Sequence, residues 1–470
     1  MTSTSPPIET ELTPKATRFL RRMTAATGGG MFIDGFVFAT FAAAFAGRAV
    51  DALHVTSLWE SWISASVLIG TFFGGIGLGY VTDRIGRKPM FTIDLSVFLA
   101  CSILMFFVQA PWQVFALGVV MGLAVGADYS IGSPLLGEFA RARHRGNFLG
   151  LLEILWNVGY VVAYVIGFAI NSYAPGAWRL ILCASAVPAV ICLVMRHGLP
   201  ESPRWLVSKG RRDEAMAIMR TAMDTDRPGD LANEEEAKTQ WKLLFTRDYV
   251  RRTIFAGTFW SAIVLPYFAL TFFQPEILRS LGLGGNSLLG ALLGTIIALV
   301  GATTGWYLVD RVGRRKILIP PMFGCAVFLV LAAAHSYLPA SVGAICFFGY
   351  LFSYGIMSIL TGIIPEEVFP SSVRASGVGV ATATSRLAAA FGTFVLPLAQ
   401  DSFGTPAVLI FMAVVSVGGG VISWLWAPET NGRELTETSH RADPHGYRRR
   451  TAEARVLSRT DSRVSFRAQR

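Results

Sequence analysis

Four ionisable side chains stand in the middle of long apolar stretches: Asp34, Asp128, Glu153 and Arg386. A charge in such surroundings is costly and is kept for a task. A carboxyl group deprived of water is suited to carrying a proton, so Asp34, Asp128 and Glu153 are candidates for proton coupling. The plainer alternative for each is a satisfied hydrogen bond or an ion pair with Arg386. The guanidinium of Arg386 offers a planar fork that matches a carboxylate or a phosphate. Asp94, one turn into its own stretch, is assigned to a nearby loop network. Other chemistry is not encoded. There is no nucleotide-binding loop, no Ser/His/Asp arrangement and no His/Cys metal set, and His54 and His335 belong to no such constellation. No catalytic residue, metal or cofactor is expected. The five cysteines, Cys101, Cys183, Cys192, Cys325 and Cys346, all fall in apolar stretches at no ligand spacing and read as packing thiols.

The elements that must position these groups are helices in lipid. The 470 residues are 53% hydrophobic and 15% charged, against about 25% charged in a soluble domain. Twelve runs reach the roughly 20 apolar residues that a bilayer requires: 24–46, 59–81, 90–110, 113–137, 147–171, 177–197, 252–274, 287–309, 316–335, 339–364, 374–400 and 405–426. Each must be helical, because a helix satisfies its own backbone groups. No cleavable signal peptide is expected, since the first 23 residues are polar and the first run is too long.

Basic residues cluster in alternate connections. Lys15, Arg18, Arg21, Arg22, Arg84, Arg87, Lys88, Arg141, Arg143, Arg145, the 198–251 loop, 311–316 and the tail after 430 share one side, and Arg48, Arg179 and Arg279 the other. The positive-inside rule then places both termini in the cytoplasm of a multi-pass inner or plasma membrane protein. The +10 charge thus reports topology and contact with anionic lipid rather than nucleic acid. The expected divisions are an N-terminal tail (1–23), a first six-helix bundle (24–197), a linker (198–251), a second bundle (252–426) and a C-terminal tail (427–470). Within the linker, 202–223 has helical apolar spacing with a basic face. Residues 224–233 read as turn and linker, and 440–470 as polar chain with no core pattern.

The two bundles repeat one another. Gly79, Asp83, Arg84, Gly86 and Arg87 after the second run return as Asp310, Arg311, Gly313 and Arg314 after the eighth. Glu138 with Arg145 seven residues on returns as Glu367 with Arg374 seven on. Pro200-Glu201-Ser-Pro203-Arg204 returns as Pro428-Glu429-Thr-Asn-Gly432-Arg433. Bidentate Arg–carboxylate pairs among these residues are expected to latch helix ends as a cytoplasmic gate, beyond serving as topology anchors.

These motifs carry a resemblance. Residues 24–437 resemble the sugar porter branch of the major facilitator superfamily and its metabolite:proton relatives. Gly79–Lys88 is similar to that superfamily's loop motif, and Pro200–Arg204 and Pro428–Gly432 to the branch's own signatures. The resemblance implies an all-α membrane protein with twelve transmembrane helices in two six-helix pseudo-repeat bundles, working by alternating access around a central cavity. It also implies that helices 1, 4, 7 and 10 line this cavity, with 5, 8 and 11 beside them. The usual proton-binding Asp of helix 1 falls on Val37 and its Arg partner on Gly118, while Gly126-Ala-Asp128-Tyr129 resembles a segment of phosphate and organic-acid symporters. The hexose-binding Gln and Asn of helix 7 are replaced by Ala262, Ile263 and Phe268. In their place the cavity would present Arg386, Glu153, Trp156, Asn157, Trp260, Tyr267 and Phe268, a set suited to a small, partly aromatic anion. The expected function is a proton-coupled symporter of an organic carboxylate, acting as a monomer. Alternatives are a sugar or polyol carrier, an organic cation carrier, an exporter, and a membrane enzyme or sensor. In the symport cycle, Glu153 and Asp34 take the proton, and substrate frees Arg386 from an acidic partner.

Overall fold

The computed structural model describes residues 13–139, 142–174, 176–223, 241–247, 249–369 and 373–430. They form α1 (Pro14–Phe45), α2 (Ala49–Ala52), α3 (Ser57–Ile85), α4 (Arg87–Leu104), α5 (Pro111–Phe139), α6 (Ala142–Tyr173), α7 (Trp178–Cys183), α8 (Ala186–Arg196), α9 (Pro203–Ser208), α10 (Arg212–Met223), α11 (Val250–Phe272), α12 (Gln274–Leu278), α13 (Ser287–Val312), α14 (Arg314–Ala333), α15 (Ala340–Ser358), α16 (Leu360–Val368) and α17 (Arg374–Trp426).

Eleven helical stretches are long and apolar enough to cross a bilayer, the last being Ser376–Trp426 with 51 residues. That is about 77 Å of helix for about 30 Å of hydrocarbon. Gly404 interrupts it at φ 77° and ψ 166°, two residues before Pro406. At this turn α17 divides into two crossings, so the described chain crosses twelve times, as the apolar runs predict. Several helices outrun their apolar stretches. Thus α1 begins at Pro14, inside the stretch read as tail, where Pro14 fits a first helical turn and the Thr13 hydroxyl accepts from the Ala16 amide at 3.3 Å. The expected amphipathic segment of the linker is α9 and α10. The 224–233 turn and the 440–470 tail lie outside the described residues.

The packing repeats as the motifs do. In the N-terminal half α1 packs on α6, α3 on α5, and α4 on α8; in the other half α11 packs on α17, α13 on α15, and α14 on α17. Small residues set the closest approaches, as expected where lipid supplies no hydrophobic drive between helices. A Cβ on Gly122 would overlap the Val67 carbonyl oxygen and lie 2.8 Å from the Gly70 Cα. A Cβ on Gly355 would overlap the Ala298 carbonyl oxygen and lie 2.9 Å from the Gly301 Cα. Outward, large apolar side chains such as Phe73, Val187, Val194, Val414 and Trp424 are exposed, a display that only hydrocarbon covers. The two halves meet along α3 with α17 and along α6 with α13. Toward the face opposite the termini, this seam carries Trp62 against Phe394, with ring centroids 4.8 Å apart. Beside them the Ser64 hydroxyl donates to the Thr393 carbonyl at 3.4 Å.

The close approach of α3 and α5 predicts that Gly122→Leu forces these helices apart, with an overpacking cost of about 1–3 kcal/mol or more. Gly77→Leu, where nothing lies within 4 Å of an added Cβ, should be tolerated. Size-exclusion profiles and thermal unfolding in detergent compare the two, and equal behaviour would contradict the packing described.

Candidate functional site

Midway through the molecule, rings from both halves close on one another. Trp156, Tyr160 and Tyr164 succeed each other at i, i+4 and i+8 along α6, with stacked neighbours 5.5 and 5.6 Å apart. From α11, Phe268 meets Phe38 of α1 at 4.8 Å and Trp156 at 5.9 Å, and Tyr267 stacks on Tyr354 of α15 at 3.7 Å. Closer to the face opposite the termini, Phe45 approaches Phe272 at 6.4 Å. There the Tyr164 hydroxyl donates to the Thr271 carbonyl at 3.5 Å. Pro266 inside α11 removes one backbone donor one residue before Tyr267.

Arg386 reaches this chamber from α17. It is 4% exposed, and its guanidinium carbon lies 4.7 Å from the Tyr129 ring centre and 5.7 Å from that of Phe268. Its Nε has no hydrogen-bond partner, and among the described residues it makes no ion pair with a carboxylate. Glu153, on α6, faces Arg386 and the Thr361 hydroxyl; its Oε1 would lie 3.3 Å from a Cβ on Gly362. Asn157, one turn on, donates its side-chain amide to the Glu153 carbonyl at 2.9 Å. Trp156 has a buried indole N–H without an acceptor. A buried cation packed on ring faces, with donors unspent, has the chemistry to pair with an anionic group. The expectation that an acid pins Arg386 before substrate arrives is therefore corrected: aromatic faces hold it instead.

The acids of the N-terminal half are organised by a residue that sequence reasoning missed. Arg196, the last residue of α8, donates to Asp94 Oδ2 at 3.3 Å and to Asp128 Oδ1 at 2.6 Å, all three being nearly fully buried. It also donates to the carbonyls of Ala26 and Phe91 at 3.2 and 3.4 Å and lies over the Phe91 ring at 4.1 Å. Asp94 thus belongs to the bundle interior rather than to a loop network. Asp128 pairs with Arg196 and not with Arg386. Asp34 is 1% exposed, and neither of its carboxyl oxygens has a partner; Asp128 Oδ2 and Thr27 Oγ1 are also unpartnered. Asp34 is influenced by the charges of Asp128, Arg196, Asp94 and Arg386, so the acid cluster and the Arg386 chamber share one field. Asp128 and Tyr129, adjacent on α5, are the mechanical bridge: one meets Arg196 and the other Arg386. The signal for Arg196 lies in the need of Asp94 for a counter-ion, although a basic residue at the end of an apolar run ordinarily meets headgroups.

At the termini face the repeated motifs make a cap. Gly86 and Gly313 adopt φ 113° and 97°, a region open to glycine, and so turn α3 into α4 and α13 into α14. Glu201 then accepts from the Arg87 amide at 3.0 Å and the Lys88 amide at 3.1 Å. Glu429 does the same for the Arg314 amide at 3.0 Å and the Arg315 amide at 3.2 Å. A carboxylate at a helix N-terminus satisfies orphan amides and the helix dipole together. Arg314 closes the arrangement, with Nε and Nη2 on Glu367 at 3.3 and 3.0 Å and Nη1 on Asp310 at 3.1 Å, while Thr430 also donates to Glu367. Arg311 lies over Tyr307 at 3.7 Å. These contacts tie helices within one half, through Glu201 in the first and through Glu429, Arg314 and Glu367 in the second. Gly79 falls within α3, and the side chains of Asp83, Glu138, Arg145, Arg204 and Arg374 lie outside the described residues. Arg84 is exposed at the end of α3. Of the expected cavity residues, Glu153, Trp156, Asn157, Tyr267, Phe268 and Arg386 come together. Trp260 is buried two turns away on α11, with no ring contact to the cluster.

Comparison with known proteins follows the same outline. Residues 19–441 match the sugar (and other) transporter family. The chain is similar to the inner membrane metabolite transport protein YgcS of Escherichia coli K12, 36% identical over 423 residues, 89% of this chain and 93% of that protein. It is similar to the putative metabolite transport protein YaaU of the same bacterium, 32% identical over 426 residues, 89% of this chain and 94% of that one. Among solved structures, the major facilitator superfamily proton:xylose symporter XylE of E. coli shares the fold, with a TM-score of 0.76 at 18% identity over 90% of this chain and 98% of that one.

Removing one side of a buried ion pair costs about 3–5 kcal/mol, because the partner charge is stranded. Arg196→Met should therefore lower the unfolding temperature sharply, and adding Asp94→Asn and Asp128→Asn should restore part of the loss. A thermal scan of the single and triple variants that shows strict additivity would contradict the network.

Proposed function

This chain belongs to the sugar (and other) transporter family of the major facilitator superfamily, and from that premise we propose that it is a proton-coupled symporter of a small organic anion. It is a secondary transporter and not an enzyme. The observation that carries the anion reading is Arg386, buried among ring faces, its Nε without a partner and, among the described residues, in no ion pair with a carboxylate. A carboxylate entering the chamber meets a fork whose desolvation has already been met by the fold, and apolar or aromatic substituents meet Trp156, Tyr160 and Phe268. The acids argue less for a cation, since Asp94 and Asp128 are spent on Arg196.

The proton reading rests on charge balance. In the N-terminal half three carboxyl groups, Asp34, Asp94 and Asp128, face one guanidinium. An ionised carboxylate buried without a donor is expensive, and a proton removes the cost. Asp34 is the carboxyl with nothing else to answer it, and Glu153 is the acid that faces the substrate-binding cation. When an anion neutralises Arg386, the field that favours ionised Asp34 and Glu153 falls, so substrate and proton bind together. Phe38, one turn beyond Asp34 on α1, carries the change to the ring seam between the halves. The basic ends of α1, α3 and α14 support a cytoplasmic termini face, and on that reading the ring seam closes the outer side.

A second reading, a neutral sugar, is supported by the likeness to the xylose symporter and by the polar groups of Glu153, Asn157 and Thr361.

Uptake into proteoliposomes separates these readings. For an organic anion, Arg386→Ala should lower uptake roughly ten- to hundredfold, the worth of a charge-assisted contact, and Arg386→Lys should retain part. A sugar substrate would be insensitive to the charge of competitors. An imposed gradient, acid outside, should accelerate uptake, and Glu153→Gln should abolish that response while sparing substrate exchange. Uptake indifferent to the gradient removes the proton step, and normal anion transport by Arg386→Ala removes the binding step.

A further inference from the structure

The outer wall of the N-terminal half carries a feature that the transport pathway does not use. Between α1, α6 and α8, on the side that faces hydrocarbon, runs a groove of about 570 Å3 lined by Ala25, Phe32, Leu155, Ile191 and Met195, with Arg21 at its mouth. Directly beyond Arg21 lies a second hollow of about 390 Å3, lined by Pro14, Thr17, Arg18 and Arg21. Arg21 belongs to both. The pair makes one amphiphilic recess, apolar below and cationic above, and its volume is on the scale of ligand sites, about 300–1,000 Å3.

Its depth suits the boundary of the bilayer. The 32 residues of α1 make a helix of about 48 Å, longer than the roughly 30 Å hydrocarbon core, so its first turns stand at headgroup level. Arg18 and Arg21, three residues apart, share one face of those turns and are exposed. Among the described residues neither makes an ion pair, whereas the adjacent Arg22 donates to the His197 carbonyl at 2.9 Å. The groove opens beside Val187 and Val194, both strongly exposed, and is continuous with surface that only acyl chains cover.

We propose that this recess binds one anionic phospholipid, its phosphate held by Arg18 and Arg21 and one acyl chain laid along the groove. A guanidinium pair matches a phosphodiester by shape and charge, and a water-soluble anion has no means of filling the apolar part. The floor of the groove, Gly28 and Gly29, adjoins Gly30, whose position borders Asp128 and Arg196. The lipid therefore lies one residue from the buried charge network.

Native mass spectrometry of the full chain, incubated in detergent with phosphatidylglycerol or phosphatidylcholine, tests this. Each basic contact is worth roughly fivefold for an anionic lipid, so one phosphatidylglycerol should be retained with a preference on the order of 25-fold. The double variant R18Q/R21Q should erase the preference. Ala25→Trp, which fills the groove at an exposed position and leaves both arginines, should release the lipid. Glycerol phosphate, the headgroup without chains, should not displace it. Equal retention of the two lipids, an unchanged preference in R18Q/R21Q, retention by Ala25→Trp, or displacement by glycerol phosphate would each overturn the proposal. Unfolding temperatures of both variants, altered only at exposed side chains, identify any loss that reflects misfolding.

Discussion

A charge removed from water inside a bilayer must be answered within the protein, and much of this structure follows from how its buried charges are answered. Arg196 is answered by two acids and by two backbone carbonyls. That one side chain joins α8 to α1, α4 and α5 and so helps to make the N-terminal half a unit. Asp34 and Arg386 are left over, of opposite sign and in opposite halves. On the proposed function each is neutralised during transport: the carboxyl by a proton, the guanidinium by an anion. In the proposed cycle these two deficits are filled together.

The same economy appears at the termini face, in a different form. Helix ends present amides and carbonyls without partners, and here Glu201 and Glu429 each bridge two amides of the following helix. The left-handed glycines just before those helices bring the amides within reach. Arg314, at the start of α14, then binds the ends of two other helices, α13 through Asp310 and the Val309 carbonyl and α16 through Glu367. Such contacts stiffen a bundle. The seam between bundles, by contrast, rests among the described residues on ring contacts and two hydroxyl-to-carbonyl bonds, from Ser64 and Tyr164, which are easily exchanged. Stiff halves with a soft seam are the mechanical requirement for rocking one bundle against the other.

The number of crossings, the six-and-six division and the repeated end motifs were legible in the residues, because lipid permits only long apolar helices and those motifs recur in the same order. The candidates Asp34, Asp128, Glu153 and Arg386 were legible for a related reason: a charge inside an apolar run is visible without coordinates. Their partners were not. Arg196 stands 68 residues from Asp128 and 102 from Asp94, at the end of a run where a basic residue ordinarily meets headgroups. Only the packing of α8 against α4 turns it inward. The capping role of Glu201 was equally hidden, since its partners lie more than a hundred residues earlier.

What the sequence determined by itself was composition against solvent: where the chain crosses lipid, which ends carry positive charge, and which buried groups demand an explanation. What only the tertiary structure decided was pairing: that Asp128 goes to Arg196 and Tyr129 to Arg386, that Trp260 stays outside the ring cluster, and that Arg314 serves its own half. Apolar periodicity and charge counting act locally along the chain. The choice among several possible counter-ions depends on distances of a few ångströms between helices remote in sequence, and those distances are set by where glycines let backbones meet.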